Sequence, residues 1–352
     1  MTFLNPKYQH LVPYVPGEQP KQITIIKLNT NENPYPPAPG VAAAVQAAAQ
    51  QLAKYSDADC LQVRLPLAER FDVTIDEVFI GNGSDEVLSL AFQAFMAKGV
   101  AFPTITYGFY QVFSDMYQVE ARVVPLNADL TLDLDLYRSL TQTIVIANPN
   151  APTGLTLSAS ALEELVKEDP ERLVIIDEAY VDFGGESMVA YTKQYANLLV
   201  IGTFSKSRQL AGARLGYAVG NPSLIADLNR LKFAVNPYNV NSLTLAAGAA
   251  ALADDRYFHT QIEKVIQVRE WTKHKLTSLG FQVTDSAANF VFIAHPQVSA
   301  KVILEKLKAD GIYVRWFDHP LIDHYLRVTI GTSAQMDRFV QSVQQILKEA
   351  VR

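Results

Sequence analysis

The chain has 352 residues, of which 49% are hydrophobic and 19% are charged, and its formal net charge is −6. This length and composition predict a globular protein of about two domains rather than a disordered or fibrous chain. The acidic balance excludes the broad basic surface that nucleic-acid binding requires.

Neither a secretion signal nor a membrane span is readable. The start, MTFLNPKYQH, has no basic patch followed by an apolar stretch, and the most apolar run, residues 243–253, is about half as long as a bilayer requires. The single cysteine, Cys60, cannot form a disulfide within the chain and is typical of a reducing compartment. We therefore expect a cytoplasmic protein that contacts neither membrane nor nucleic acid.

In chain order, helices and strands alternate through the first two thirds of the sequence. A proline-rich stretch at 33–40 separates an N-terminal arm from a predicted helix at 41–53. Continuously apolar runs predict buried strands, and the helix between the second and third of them opens with Ser160 and Glu163 as a capping box. Strands are expected at 78–80, 143–147, 173–177 and 198–202, and helices at 86–97 and 161–167. This alternation predicts an α/β fold with a mostly parallel sheet, covered on both faces.

The last third predicts a smaller α+β domain. Thr332 and Gln335 form a capping box before a terminal amphipathic helix. Helical patterns lie at about 243–275 and at 301–309, and strands are expected at 289–294, 312–317 and 326–331. We predict an arm at 1–35, a large domain at 36–245 and a small domain at 246–352.

The first strand runs into GNGSDE (81–86), a candidate phosphate cradle. The amides of Gly83, Ser84 and Asp85 would act together with the positive end of the following helix. A dinucleotide fingerprint would need a third glycine where Glu86 stands. A turn without a ligand, capped by Ser84, is the alternative.

Asp177 closes a later strand and begins the motif DEAY (177–180). A carboxylate at the end of an apolar strand is costly to bury unless it is paired, and a cationic ring nitrogen would pair with it. Tyr180, three residues further on, can reach the adjacent ring oxygen. The alternative interpretation is an aspartate that caps a helix.

The fourth strand leads into TFSKSRQLAGARLGY (203–217), where Lys206 follows two hydroxyl residues. A lysine beside other cations can have a lowered pKa, which suits an amine that forms a Schiff base. Arg208 and Arg214 would attract a phosphate, which arginine binds through two nitrogens. A solvated basic loop is the alternative.

Together these motifs supply, in chain order, partners for a phosphate, a pyridinium, a phenolate and an aldehyde, the functional groups of pyridoxal-5′-phosphate (PLP). Their order and spacing resemble those of the fold-type I PLP-dependent aminotransferases, and most closely the histidinol-phosphate aminotransferases. The motifs are PYVPGEQP (13–20), KLNTNENPYPP (27–37), GNGSDE (81–86), NPNAPTG (148–154), DEAY (177–180), the Lys206 segment and LRVTIGT (326–332).

The resemblance implies a role for each residue of the cofactor site. Lys206 forms a Schiff base with PLP and later moves a proton, and Asp177 keeps the pyridine nitrogen protonated. Tyr180 donates to the ring oxygen O3′, and Tyr107 stacks on the ring. The phosphate is bound by Gly83, Ser84, Asp85, Thr203, Ser205 and Arg214.

The resemblance also implies a homodimer with two shared active sites. No metal site is expected, because the histidines show no metal-ligand spacing with carboxylates or Cys60. Tyr55 would reach the phosphate of the neighbouring subunit's cofactor, although it could instead pack on its own subunit. Arg327 would bind the carboxylate or phosphate of the substrate, with Arg315 and Tyr14 as accessories. An ordinary surface ion pair is the alternative for Arg315.

Two positions depart from the family's pattern. The asparagine that would precede Pro-Thr-Gly and bind O3′ is Ala151 here. Either Asn150 takes this role through a shifted loop, or Tyr180 acts alone. Arg208 stands where an apolar residue is usual, and the sequence gives it no role.

The resemblance implies transfer of the amino group of L-histidinol phosphate to 2-oxoglutarate. Two alternatives share the fold: an aminotransferase for phenylalanine and tyrosine, and a decarboxylase for threonine phosphate. The sequence does not discriminate between them, because the residues that shape the substrate pocket are not readable from it.

Overall fold

A seven-stranded sheet forms the centre of the protein, whose structure, a computed structural model, describes residues 3–20 and 25–350. The strands are β1 (Ile26–Lys27), β2 (Val78–Gly81), β3 (Val100–Pro103), β4 (Ala121–Val124), β5 (Thr143–Ala147), β6 (Val174–Asp177), β7 (Leu198–Thr203), β8 (Gly216–Gly220), β9 (Gln282–Val283), β10 (Phe290–Ala294), β11 (Ile312–Tyr313), β12 (Arg315–Trp316) and β13 (Tyr325–Thr329). The α-helices are α1 (Gly40–Ala49), α2 (Leu61–Phe71), α3 (Ser84–Phe95), α4 (Phe109–Tyr117), α5 (Asp135–Arg138), α6 (Ala159–Glu168), α7 (Pro222–Val235), α8 (Ser242–Leu252), α9 (Asp255–Ser278), α10 (Ala300–Ala309) and α11 (Ser333–Ala350). Short 3-10 helices lie at Pro6–Tyr8, Ile75–Glu77, Val181–Phe183 and Val189–Lys193.

The strand order in the central sheet is β2-β8-β7-β6-β5-β3-β4. β8 is antiparallel to both of its neighbours, and the remaining pairs are parallel. Asp177 at the end of β6 lies opposite Ala147 of β5 and Ile201 of β7, so three strands end at the same edge. The predicted mostly parallel sheet is confirmed, although β3, β4 and β8 are absent from the sequence-based prediction.

Both faces of this sheet are buried, because side chains alternate along each strand. On one face, Val145 and Ile175 pack with side chains from α3, α4 and α7. On the opposite face, Ile144 and Ile176 pack with side chains from α6. Burial on both sides explains why the strands appear in the sequence as continuous apolar runs rather than alternating ones.

A separate four-stranded antiparallel sheet, of order β12-β13-β10-β9, forms in the last third of the chain. Its buried side chains share one core with α9, α10 and α11, which confirms a smaller α+β unit. Residues 312–317, predicted as one strand, divide between β11, which pairs with β1, and β12, which pairs with β13. A continuous apolar run does not reveal that its two halves join different sheets.

The N-terminal segment joins this last third of the chain. Ile26 lies opposite Ile312 in a parallel pair, and the amide of Thr329 donates to the carbonyl of Leu28 at 2.9 Å. Residues 26–28 therefore pack with the smaller unit, far from their place in the sequence. The predicted limits of the arm and the two domains stay a prediction.

One predicted helix cap is confirmed and another is wrong. At α11, the amide of Thr332 donates to Gln335 Oε1 at 2.8 Å and the amide of Gln335 donates to Thr332 Oγ1 at 3.3 Å. At α6 the cap is Ser158, whose hydroxyl accepts from the amide of Ala161 at 3.2 Å, rather than Ser160. Two serines two residues apart offer the same hydroxyl, and the backbone turn selects the first of them.

Two kinds of feature are absent from the described residues 3–20 and 25–350. No helix there combines the length and apolarity that crossing a membrane requires. No group of three or more histidine, cysteine, aspartate and glutamate side chains is arranged to hold a metal ion.

Candidate active site

A cavity of about 120 Å³ lies at the edge of the sheet where β5, β6 and β7 end. Open α/β sheets bind ligands at this edge, outside the carboxyl ends of their strands. The residues that line the cavity are Ser84, Asp85, Tyr107, Ala147, Ala151, Asp177, Ala179, Tyr180, Thr203, Ser205, Lys206 and Arg214. The structure thus brings together residues from four loops that the sequence motifs predicted separately.

The start of α3 supplies backbone donors to this cavity. Ser84 is the first residue of the helix, so its amide and that of Asp85 have no partner within the helix. Gly83 is the residue that precedes the helix, with φ +83°, a conformation that glycine adopts without strain. Its own amide donates to the carbonyl of Gly81 at 2.9 Å, so it is already engaged, contrary to expectation.

Strand β8 approaches this turn so closely that only glycine can occupy the point of contact. A Cβ atom on Gly216 would lie 2.3 Å from the amide nitrogen of Ser84 and 2.4 Å from the carbonyl carbon of Gly83. Both atoms belong to the backbone and cannot move aside like a flexible side chain. The sheet and the cradle are therefore fitted to one another at Gly216.

The carboxylate of Asp85 joins two other predicted residues. It accepts hydrogen bonds from Arg214 Nη2 at 2.7 Å and from the hydroxyl of Tyr107 at 2.7 Å. Burial is the main cause that raises the pKa of Tyr107 well above its ordinary value, and the nearby Asp85 carboxylate adds to it. The phenol therefore stays protonated at neutral pH. Arg214 keeps further donors that an anion could accept from.

Two buried hydroxyls complete this side of the cavity. The amide of Ser205 donates to Thr203 Oγ1 at 3.1 Å, and the Thr203 hydroxyl donates to Ser205 Oγ at 3.0 Å. The Thr203 hydroxyl has a second acceptor within the chain, the carbonyl of Leu215 at 3.3 Å, so its single proton is engaged in either case and the Ser205 hydroxyl is the one that can donate to an anion.

Asp177 is a buried carboxylate that lacks a cationic partner within ion-pair distance in the described part of the chain. It accepts from the hydroxyl of Tyr110 at 2.8 Å and from the amide of Ala179 at 3.1 Å. Burial raises its pKa to about 6, and both hydrogen bonds oppose that rise. The sequence did not identify Tyr110, although its place three residues after Tyr107 was the available signal.

Lys206 lies between this cavity and a larger one beside it. Its Nζ donates to the carbonyl of Thr30 at 3.4 Å and lies 5.8 Å from the centre of the Tyr180 ring. Burial is the main cause that lowers the pKa of Lys206 to about 8, and the positive charge of Arg327 adds to it. A useful fraction of the amine is therefore neutral near pH 7, as a nucleophilic or proton-accepting lysine requires.

Tyr180 is held from the N-terminal segment. The amide Nδ2 of Asn31 donates to the Tyr180 hydroxyl oxygen at 2.9 Å. Asn31 was not identified from the sequence, because nothing in KLNTNENPYPP shows which asparagine faces a residue nearly 150 positions further on.

The structure does not place Asn150 in either cavity. Its Nδ2 donates to the carbonyl of Ile105 at 3.0 Å and to Thr153 Oγ1 at 3.1 Å, and its Oδ1 accepts from Thr106 at 2.9 Å. The whole amide is therefore engaged in joining its own loop to the loop after β3. Ala151 lines the cavity instead, so the possibility that Asn150 replaces the missing asparagine through a shifted loop is wrong in this structure.

The second cavity, of about 470 Å³, opens from the first and contains the three predicted substrate residues. Tyr14 stacks on Phe109 with ring centres 4.4 Å apart. Arg315 donates to the carbonyls of Val15 at 3.0 Å and Pro16 at 3.4 Å, and so holds the arm over the cavity rather than forming the alternative surface ion pair.

Arg327 is a half-buried cation that lines the larger cavity. Its Nη2 donates to the carbonyl of Asn29 at 3.0 Å, and its Nε is buried without an acceptor. In the part of the chain that the structure describes, no carboxylate forms an ion pair with it. Leaving a guanidinium unpaired is costly, so an anionic ligand is the natural complement of this side chain.

Tyr55 lies outside both cavities of its own chain. Its side chain is 83% exposed, and its ring stacks on Tyr238 with centres 4.5 Å apart. An aromatic residue that packs on its own core would be buried, so this exposure leaves Tyr55 available to another surface.

Arg208 has a structural explanation that the sequence did not give. Its Nη1 donates to the carbonyl of Ala251 at 2.7 Å, and its guanidinium lies 4.0 Å from the centre of the Phe258 ring. Asp255 lies 3.6 Å from its Nη2. Arg208 therefore ties the Lys206 loop to the junction of α8 and α9, and neither cavity of the site includes it.

The whole arrangement offers a consistent set of chemical groups. One cavity combines amide, hydroxyl and guanidinium donors for an anion, an unpaired carboxylate and an amine with a lowered pKa. The adjoining cavity ends in an unpaired guanidinium. Such a site can hold an anionic, aromatic cofactor and an anionic substrate side by side.

The sequence and fold have close known counterparts. The profile of the family described as aminotransferase class I and II matches residues 23–343. The chain is 47% identical to the histidinol-phosphate aminotransferase of Brachyspira hyodysenteriae, with 99% of each chain covered. It is 44% identical to that of Acinetobacter baumannii (strain AB307-0294), with 98% of this chain and 97% of the relative covered.

A solved structure shows the same fold. The histidinol-phosphate aminotransferase of Sinorhizobium meliloti, crystallised in complex with pyridoxal-5′-phosphate, superposes with a TM-score of 0.89 at 23% identity, covering 99% of this chain and 98% of that one. The identities of 47% and 44% over nearly the full length, together with the match of the family profile to residues 23–343, go beyond the resemblance of single motifs. This chain belongs to the class I and II aminotransferase family.

Proposed function

We propose that this protein is a PLP-dependent histidinol-phosphate aminotransferase, which transfers the amino group of L-histidinol phosphate to 2-oxoglutarate. The observation that supports it most is the union in one pocket of Lys206, the unpaired carboxylate of Asp177 and the open amides of α3, next to unpaired Arg327. Two relatives that are 44% and 47% identical to this chain over nearly their whole length carry that name.

The residues present suit PLP in two respects that the structure shows independently. A buried carboxylate without a cation, Asp177, calls for a protonated nitrogen such as that of a pyridinium ring. A helix start with unused amides, beside Ser205 and Arg214, calls for an anion such as a phosphate. When bound, the cofactor supplies an aldehyde that links to an amine and a ring that withdraws electrons from the substrate carbon.

The side chains around the ring have separate tasks. Asp177 would pair with the ring nitrogen and keep it protonated, and Tyr110 holds that carboxylate in place. Tyr180 would donate to the ring oxygen, and Tyr107, fixed by Asp85, would pack on the ring face. Nζ of Lys206 would be the point of attachment and, once released, the base that holds a proton during transfer.

The anionic end of each substrate would bind in the larger cavity. Arg327 offers a planar set of donors that matches both a carboxylate and a phosphate. Tyr14 of the arm and Arg315, which binds the arm through its backbone, would together close the cavity. One guanidinium can thus serve both histidinol phosphate and the keto acid, as a reaction in two successive halves requires.

We also propose a homodimer in which Tyr55 reaches the partner's cofactor phosphate. The exposed Tyr55 ring and the exposed apolar side chains near it support this proposal, since large exposed apolar side chains in two neighbouring segments are typical of an interface. They are Leu52, Leu61, Leu65, Phe233, Val235 and Tyr238.

Two further proposals come from the sequence. The chain would divide into an arm (1–35), a large domain (36–245) and a small domain (246–352), which the separate core of the last third supports. A cytoplasmic location follows from the lone, buried Cys60, since a reducing compartment suits a free thiol.

The visible absorption spectrum of the purified protein tests the function directly. Histidinol phosphate, added without a keto acid, should remove the yellow band of the lysine-bound cofactor, and phenylalanine should act much more slowly. Equal bleaching by phenylalanine would favour an aromatic aminotransferase, and release of carbon dioxide from threonine phosphate would favour a decarboxylase. A colourless protein that does not become yellow when PLP is added would refute both the assignment of Lys206 to the cofactor and the proposed function.

A further inference from the structure

Asn31 occupies an unusual place in the structure. It is buried, and its φ of +56° lies in the left-handed region that non-glycine residues rarely adopt. Its backbone carbonyl accepts from Nδ2 of Asn289 at 3.0 Å. Asparagine tolerates this conformation better than most residues, and a buried polar side chain needs hydrogen-bond partners, which identify what holds it.

The orientation of the Asn31 amide follows from its contacts with Thr329 of β13. The backbone amide of Asn31 donates to Thr329 Oγ1 at 3.0 Å, so the hydroxyl oxygen accepts there. The single proton of that hydroxyl is then donated to Asn31 Oδ1, also at 3.0 Å. With Oδ1 engaged as an acceptor, the amide must present its N–H group to Tyr180.

This orientation determines the direction of the Tyr180 hydrogen bond. Because Asn31 Nδ2 donates at 2.9 Å, the phenol oxygen of Tyr180 accepts, and its own proton is left for another acceptor. Tyr180 lines both cavities, and no described residue accepts that proton. The phenol can therefore donate into the cofactor site.

The loop after β5 increases the importance of this contact. Ala151 lines the cavity where the family's pattern has an asparagine, and the amide of Asn150 is engaged elsewhere. Of the residues considered above for binding the cofactor's ring oxygen, Tyr180 then remains as the donor. We propose that Asn31 is a positioning residue that fixes Tyr180 as this donor and, through Thr329, links it to the small antiparallel sheet. This inference rests on the proposed function.

The charges around Tyr180 come from several elements, and the test must separate them from the hydrogen bond. Arg327 of β13 acts on it most strongly, followed by Asp177 of β6 and Asp85 of α3. Lys206 lies 5.8 Å from its ring centre. A new charge placed at position 31 would join this set, so a single substitution cannot by itself distinguish the two effects.

The experiment is a pH titration of the visible absorption of the holoenzyme, whose midpoint reports the proton on the nitrogen that links lysine and cofactor. A hydrogen bond donated to the ring oxygen draws its negative charge away from that proton and so lowers the midpoint. Asn31→Asp places an acceptor opposite Tyr180 and reverses the bond. The midpoint should rise by about one pH unit, as expected for one lost hydrogen bond to a charged atom, and Tyr180→Phe should raise it similarly.

A double-mutant cycle assigns the shift. If Asn31 acts through the Tyr180 proton, Asn31→Asp shifts the midpoint less in a Tyr180→Phe background than in the wild type, and the shift that remains is the effect of the new charge alone. Thr329→Val, which removes the proton that orients the amide, should shift the midpoint in the same direction by less. Thr272→Val is the matched control, since it also removes a buried hydroxyl but one bonded within α9, and its midpoint should equal that of the wild type.

The outcomes are separable. An unchanged midpoint in Asn31→Asp, or additive shifts in the double variant, overturns the positioning role. If Asn31→Asp does not fold, an unchanged midpoint in Thr329→Val overturns it instead. A wild-type protein with no visible band refutes the proposed function and is recognised before any variant is compared.

Discussion

At the scale of single residues, Asp177 and Glu178 show how neighbouring positions acquire different chemistry. Both are buried carboxyl groups, but Asp177 lines the cofactor cavity whereas Glu178 lines a separate cavity behind it. Burial raises the pKa of Glu178 to about 8, against hydrogen bonds from Ser187 at 2.6 Å and the amide of Met188 at 2.5 Å. Glu178 is therefore protonated at neutral pH and holds the segment around Ser187 and Met188, whereas Asp177 can pair with a cationic ligand.

Replacing Glu178 with glutamine should make the ligand-free protein more resistant to alkaline pH. Its folded pKa is raised above the unfolded value, so the stability it contributes is complete at low pH and is lost as the pH rises towards about 8. Glutamine does not ionise, its amide oxygen can accept from the amide of Met188, and its NH2 group can donate to the Ser187 hydroxyl oxygen once that hydroxyl turns. Chemical denaturation should show similar stability at pH 5 and an advantage for the variant at pH 9 on the order of 3 kcal/mol. Parallel pH profiles for the two proteins would contradict this, and exposed Glu171→Gln serves as the control.

Replacing Arg327 with methionine should separate binding from stability. The substitution removes the anion partner, so kcat/KM for histidinol phosphate and for 2-oxoglutarate should each fall by at least about 100-fold. The thermal stability of the ligand-free protein should not fall, because a half-buried cation without an ion-pair partner in the described part of the chain is replaced by an apolar side chain of similar length. Steady-state kinetics and thermal denaturation measure the two effects, and Arg315→Met should lose less activity. A destabilised Arg327→Met protein would contradict the assignment of Arg327 to binding.

At the scale of elements, the cradle depends on the fit between β8 and the turn before α3. Gly216→Ala would place a methyl group within 2.3 Å of the Ser84 amide, so β8 or the turn must shift. The affinity for PLP should fall at least tenfold and stability by about 2 kcal/mol, as overpacking usually costs. Gly212→Ala is the matched control, because its Cβ would meet nothing within 4 Å. Equal PLP affinities for the two variants, measured by equilibrium titration, would show that the cradle does not depend on this contact.

At the scale of the whole molecule, the proposed dimer can be tested by complementation. Lys206→Ala should abolish turnover without preventing folding, and Tyr55→Ala should weaken retention of the cofactor phosphate. If each site takes Tyr55 from the partner, a hybrid of the two variants has one intact site. Refolding an equal mixture should therefore recover about a quarter of wild-type activity, since half the dimers are hybrids with one active site of two.

Matched controls and the oligomeric state decide the complementation result. The separate variants, mixed without refolding, should recover nothing, and light scattering should give the mass of a dimer. No recovery from a mixture that does form hybrids would mean that Tyr55 serves its own chain.

The α/β class, the order of the motifs and several residues that line the first cavity, among them Asp177 and Lys206, were readable from the sequence alone. Local chemistry sufficed there, because buried parallel strands require continuous apolar runs and because Asp177, Lys206 and the glycine-rich turn each follow such a strand directly. Strand β8 and the division of residues 312–317 were not predictable, since short apolar runs do not specify their pairing partners.

The contacts between distant segments are visible in the tertiary structure alone. Asn31 meets Tyr180, and Arg208 meets the start of α9, through folding that brings together residues with no local pattern in common. The same holds for Asn150, whose amide is engaged by Ile105 and Thr106 of another loop, and for Arg327, whose lack of an ion-pair partner among the described residues is visible only when its surroundings are known. The sequence specifies the chemical type of each side chain, but the burial, the partners and the pKa of that side chain depend on the neighbours that the fold supplies.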